Sequence, residues 1–285
     1  MKQHVWFTAA FCILFSSPLW GAPPSDAVLE QLAADYFALK PGQNPAHGLN
    51  LAEALTIQKS FVRKLEPKLG QPVGHKVGLV TREAQERFKA SGPVRGVLLS
   101  EMLLKNGAEV PARFGVQPIC EADLLVVVKD KRINKARTPL EVARSLKEVV
   151  AFIELPDSFL STNPPIDAIA LTSVNVGARL GVLGQRLPVK ATEDFVKLLE
   201  LMTVTMTDQN GRELGRAQGG LILDQPLNAV LWLAEELSRG GESLKPGDLI
   251  SLGSLKNITP EAGQTITVIY QGLPGGPISV SVKFK

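Results

Sequence analysis

Ile119-Cys120-Glu121-Ala122-Asp123-Leu124-Leu125-Val126-Val127-Val128 decides the fold. The run is too apolar for a loop and ends in β-branched residues, so it reads as a strand. Side chains two apart on a strand share a face, which sets Glu121 and Asp123 side by side on a half-buried sheet. Like charges in an apolar setting are costly without a positive partner. A divalent cation with oxygen ligands, of the Mg²⁺ or Mn²⁺ type, answers that need. Glu154, in Val149-Val150-Ala151-Phe152-Ile153-Glu154-Leu155, is a third acid in a similar setting. Two readings stay open from spacing: a metal site of three carboxylates, or the solvated face of an amphipathic strand.

The chain begins like an export signal. Lys2 gives the positive start, residues 5–15 the apolar stretch and residues 16–22 a small-residue cleavage region. The apolar stretch is too short to span a bilayer, and bulky Phe11 before Cys12 argues against a lipid anchor. A retained N-terminal anchor is the rival reading. Cleavage predicts a periplasmic or secreted protein whose remaining cysteine is Cys120, with no intrachain disulfide. With 31 basic against 28 acidic residues and no basic block, nucleic acid is not an expected partner.

Helical periodicity covers residues 27–40, stopped by Pro41-Gly42. Asn50 and Glu53 form a capping-box start for a second helix running towards Pro67. A short strand over 73–80 follows, and then a short helix capped by Thr81. Thr138-Pro139-Leu140-Glu141 opens a helix to about residue 148, after which the stretch to 154 reads as strand. Residues 166–178 form another strand candidate. Residues 199–207 alternate apolar and Thr and turn at Asp208-Gln209-Asn210-Gly211 into 213–217, a hairpin. A helix over 226–239 and strands over 249–252, 265–270 and 278–284 complete the chain.

Gly74-His75-Lys76-Val77-Gly78 sets a lysine between glycines on an apolar strand. Glycines permit close approach of a ligand or backbone, and a desolvated lysine acts as a base or pairs with an anion. The plainer reading is a surface lysine on an edge strand. His47 reads as a surface-loop histidine, and His75 and Cys120 face away from Lys76 and Glu121.

Several segments now converge: Val73-Gly74-His75-Lys76-Val77-Gly78-Leu79, Arg95-Gly96-Val97-Leu98, Gln117-Pro118-Ile119-Cys120-Glu121-Ala122-Asp123, Ile153-Glu154, Asn175 with Leu183-Gly184, and residues 226–234. In this order they resemble the 2-keto-4-pentenoate hydratases and related 2-oxo-acid hydratases and decarboxylases of the fumarylacetoacetate hydrolase superfamily. The resemblance implies an α+β fold: a mixed β-roll over 106–285 after a smaller, mainly helical region over 23–105, with 1–22 as signal. It implies Mg²⁺ or Mn²⁺ held by Glu121, Asp123 and Glu154, with Lys76 as acid/base near the reacting carbons of a small 2-oxo acid. Asn175 and Arg179 are the substrate-binding candidates, and a homo-oligomer is expected.

The chain also departs from that pattern. Asp123 replaces a glutamate, and Val94 stands where the hydratases carry an aspartate. Ile119 and Phe159 stand where they carry arginines, and Val174 replaces the aspartate of an Asp-Asn pair, leaving Arg179 as a substitute cation. The expected activity is hydration, or a related lyase or tautomerase step, on a 2-oxo or 2-hydroxydienoic acid. The alternative is a metal-dependent binding protein for such acids that has lost the chemistry.

Overall fold

The computed structural model describes residues 24–163 and 165–285. The expected export segment, with His4 and Cys12, lies outside the described residues. Among the described residues no helix is long and apolar enough to cross a membrane.

The chain opens with two helices, α1 (Asp26–Ala38) and α2 (Leu51–Leu69). The capping box at the start of α2 is formed in both directions, with Asn50 and Glu53 each accepting from the other's backbone N–H. Then come β1 (Pro72–Gly78), α3 (Arg82–Arg87), β2 (Val94–Leu99), β3 (Leu103–Lys105), β4 (Ala108–Val110) and β5 (Cys120–Val128). The middle of the chain holds α4 (Pro139–Arg144), β6 (Leu146–Leu155), α5 (Ala168–Ser173), β7 (Leu180–Pro188) and α6 (Glu193–Leu201). It closes with β8 (Thr203–Thr207), β9 (Glu213–Gln218), α7 (Asn228–Arg239), β10 (Leu249–Ser251), β11 (Lys256–Ile258), β12 (Thr265–Gln271) and β13 (Ile278–Phe284).

Two sheets result. The larger runs β2-β1-β10-β5-β6-β7-β3, with β11 also paired to β5; the smaller runs β4-β13-β12-β8-β9. Alternation along β5 and β6 gives the larger sheet two different faces. Cys120, Ala122, Leu124 and Val126, with Val149, Ala151 and Ile153, join Val204, Val268 and Val280 of the smaller sheet in the main core. The opposite face carries a small apolar cluster of Leu98, Leu125, Val127, Val150 and Phe152, and beyond it the carboxylates. The helical region has its own core, where Phe61 stacks on Phe159 and Tyr36 meets both rings edge-on.

Three expectations are corrected. The boundary at 105 does not separate helix from sheet: β1 lies parallel to β10 and β3 lies parallel to β7, so residues 72–105 supply three strands of the larger sheet. The strand expected over 166–178 is α5 plus a turn, because Asp167 caps a helix by accepting from the Ala170 N–H at 2.8 Å. The helix after Thr138 ends at Arg144, and β6 starts at Leu146, since its register against β5 claims residues that local periodicity assigns to a helix.

Candidate active site

Register builds the site. In the antiparallel pair of β5 and β6, Glu121 lies directly opposite Glu154 and Asp123 opposite Phe152. Side chains of such opposed residues stand about 5 Å apart at Cβ, so two acids from separate segments are forced together on one face. On the far side of β5, Ser251 pairs with Leu125 and, in turn, with Lys76 of β1. Lys76, Ser251, Glu121, Asp123 and Glu154 therefore share the face turned away from the main core.

Lys76 and Glu154 are 3% and 2% exposed, and their Nζ and Oε1 atoms lie 2.5 Å apart. The ammonium also donates to the Val176 carbonyl at 3.0 Å. Asp123 is fully buried; its Oδ2 accepts from the Ser251 hydroxyl at 2.5 Å, and its Oδ1 from the backbone N–H of Gly253 at 3.0 Å and of Leu124 at 2.5 Å. Glu121 is half-buried. Burial, and then the charge of Glu154, push the Glu121 carboxyl above the ordinary carboxylate range, while Lys76 pulls it back. The same two causes raise Asp123, against the pull of the Ser251 hydroxyl and the Gly253 and Leu124 amides.

Glu121 and Glu154 line a cavity of about 770 Å³, whose walls also include Lys76, Ile119, Leu79 and Val176. Apolar walls around a few convergent polar groups make a small-molecule site. The oxygen-only donor set, with buried carboxyl groups that outnumber the Lys76 cation beside them among the described residues, fits a hard divalent ion. The side-chain arrangement differs from the expected triad in one respect. Among the described residues no three acidic side chains converge on one point, because the Asp123 carboxylate is turned to Ser251 and Gly253 while Glu154 faces Lys76. Glu121 and Glu154 are the pair that faces the cavity, with Asp123 behind them.

The two substrate-binding candidates have other occupations. The Asn175 amide accepts from the Val97 N–H at 2.7 Å and donates to the Val97 carbonyl at 2.9 Å, closing the edge of β2. Arg179 pairs with buried Asp157 at 3.0 Å, donates to the Tyr36 carbonyl at 2.8 Å and lies 3.9 Å over the Tyr36 ring. It clamps the helical region to the sheet. Val94 packs with Leu79, Leu171 and Val176, and His47 is exposed. Sequence reasoning missed Ser251, Val176 and Tyr270. The first two act through a diagonal neighbour and a backbone carbonyl, which leave no pattern in the chain; Tyr270 alone carried a signal, as the polar tip in the apolar row Ile266, Val268 and Tyr270.

No family model matches the chain. It is 30% identical over 203 residues to a 2-keto-4-pentenoate hydratase of Paraburkholderia phymatum, covering 70% of this chain and 75% of the relative. It is 27% identical over 249 residues to 2-keto-4-pentenoate hydratase 1 of Dechloromonas aromatica, covering 87% of this chain and 92% of that one. Among solved structures, it superposes with a TM-score of 0.79 on a 4-oxalocrotonate decarboxylase from Pseudomonas putida G7 complexed with magnesium and adipate. That match has 24% identity and covers 91% of this chain and 97% of the other. Its likeness to the Paraburkholderia phymatum enzyme, over three quarters of that relative, makes the chain a member of the 2-keto-4-pentenoate hydratase family.

Proposed function

We propose that the protein is a divalent-metal-dependent hydratase or lyase acting on a short 2-oxo or 2-hydroxydienoic acid. The observation that carries this reading is the opposed, cavity-facing pair Glu121 and Glu154 with Lys76 buried against it. Glu121 and Glu154 would hold the ion, and Asp123, bonded to Ser251 and Gly253 behind them, would join the oxygen set only by turning from those partners. When bound, Mg²⁺ or Mn²⁺ supplies Lewis-acid polarisation of the substrate's 2-oxo group and carboxylate. Lys76 Nζ moves the proton at the reacting carbons, being, among the described residues, the buried cation on the acid face. Leu79, Ile119 and Leu171 line the cavity with apolar surface that takes the hydrocarbon part of the substrate and excludes bulk water. The start of the chain, with Lys2 and the apolar run over 5–15, supports export to the periplasm or beyond the cell. Recovery of native protein beginning at Met1 would remove that part of the proposal.

The test is an ultraviolet assay with 2-hydroxypenta-2,4-dienoate and Mg²⁺, run beside Glu154→Gln. Metal-dependent loss of the dienol absorbance in the wild type alone supports the enzyme. Val94 favours a second reading, a binding protein for the same acids, because a position that carries an aspartate in the resembled hydratases is here packed among aliphatic side chains. That reading expects ligand affinity lost in Glu154→Gln and no turnover in any variant.

A further inference from the structure

Asn175, Val176 and Gly177 have φ of 60°, 53° and 65°, three consecutive residues in the left-handed region. Glycine accepts this conformation freely; a β-branched valine is an outlier there. Such strain persists only where the surroundings over-determine it. Here they do so from three sides. The Asn175 amide is bonded twice to Val97, and the Gly177 carbonyl accepts from the Asp157 N–H at 2.9 Å. Two strand glycines leave the room: a Cβ on Gly96 would stand 2.8 Å from the Asn175 carbonyl oxygen and 3.0 Å from Lys76 Cγ, and one on Gly78 would stand 2.8 Å from Val176 Cγ1. The strained turn puts the Val176 carbonyl 3.0 Å from Lys76 Nζ, while Glu154 holds the same nitrogen at 2.5 Å. The ammonium is thus held by a backbone acceptor and a carboxylate at once, where the acid pair would otherwise lack a positive neighbour.

We propose that Lys76 is the resident counter-ion of the Glu121–Glu154 pair, that a divalent ion enters by displacing it from Glu154, and that Asn175 is the positioning residue that holds it there through the Val176 carbonyl. The inference rests on the reading of Glu121 and Glu154 as ion ligands. It gives Asn175 a role without substrate contact and accounts for the tolerance of a costly backbone conformation beside the cavity.

The experiment is a Mn²⁺ titration of the ion-free full chain, following free Mn²⁺ by electron paramagnetic resonance, with no substrate present. The proteins are the wild type, Glu154→Gln, Lys76→Met, Asn175→Ala and the Lys76→Met/Asn175→Ala double variant. Asn175→Gly is included because glycine tolerates the positive φ and keeps the fold if alanine does not. Lys76→Met is expected to bind Mn²⁺ on the order of tenfold more tightly, since a competing cation is gone. Asn175→Ala or Asn175→Gly is expected to tighten binding about threefold in the wild type and by less than about twofold in the Lys76→Met background, as coupled residues do. Equal or weaker Mn²⁺ binding by Lys76→Met overturns the proposal. So does an Asn175 effect of the same size in both backgrounds, the mark of a general structural role. Wild type that binds no Mn²⁺, or Glu154→Gln that binds it unchanged, removes the ion-ligand reading and the inference with it.

Discussion

Tyr270 and Phe152 are joined across the two sheets: the Tyr270 hydroxyl donates to the Phe152 carbonyl at 2.9 Å and shares its proton with the Asp123 carbonyl. The hydroxyl comes from β12 of the smaller sheet and enters the seam between the two strands that carry all three acids. Burial pushes its pKa well above the usual phenol value, so it stays a donor. Tyr270→Phe leaves two buried carbonyls short of a donor, a loss of about 1–3 kcal/mol. Urea unfolding of the two proteins checks this, and equal midpoints would refute it.

Lys76→Met should lower kcat by about 10²–10⁴-fold, the usual worth of a positioned acid/base. KM for the 2-oxo acid should change little, because the methionine keeps the volume of the buried stem. A variant that retains turnover would assign the proton transfer elsewhere.

The raised carboxyls of Glu121 and Asp123 predict an unusual pH profile for the ion-free protein. Between the ordinary carboxylate range and the raised folded-state values, the folded protein holds protons that the unfolded chain has released. Stability therefore falls as pH rises from about 4–5 through neutrality. Saturating Mg²⁺ should flatten the slope, since the ion favours the deprotonated acids. Unfolding in urea with a chelator at acid and neutral pH measures it; stability that rises with pH would contradict the assigned direction.

Arg179→Met removes the cation beside Asp157, which is 1% exposed. An uncompensated buried carboxylate costs about 3–5 kcal/mol. The thermal midpoint should drop steeply while KM for the 2-oxo acid stays within about twofold, because a lost structural clamp is not a lost substrate contact. A large rise in KM with stability kept would return Arg179 to substrate binding.

The acid strand was legible because its pattern is local: Cys120–Val128 is a strand, and its period of two puts Glu121 and Asp123 on one face. The capping box at Asn50, the Thr138-Pro139 start and the turn at Asp208–Gly211 were legible for the same reason. Partnerships were not. Nothing in Leu146–Leu155 states that Glu154 will face Glu121; the register against β5 decides it. Helix α6 was missed although Thr192 caps it and Glu193 and Asp194 fill its first turn, because the apolar alternation after it drew the reading towards strand. For Asn175 and Arg179 the sequence carried no sign of the partners they take in the fold, distant backbone for one and Asp157 for the other.

The parallel pairing of Lys76 with Ser251 has a consequence for synthesis. Strands β5 and β6 follow each other in the chain and can zip as soon as both have left the ribosome, as can β1 and β2, whereas the β1–β2 pair has no seat beside β5 until residues 249–251 arrive. A chain terminated before residue 249 thus holds its acids assembled on β5 and β6 and its lysine on a detached β1–β2 pair, with sheet edges open to foreign partners. Closure of that long-range ladder is what brings the lysine strand up against the acids and turns early-formed pieces into one cavity.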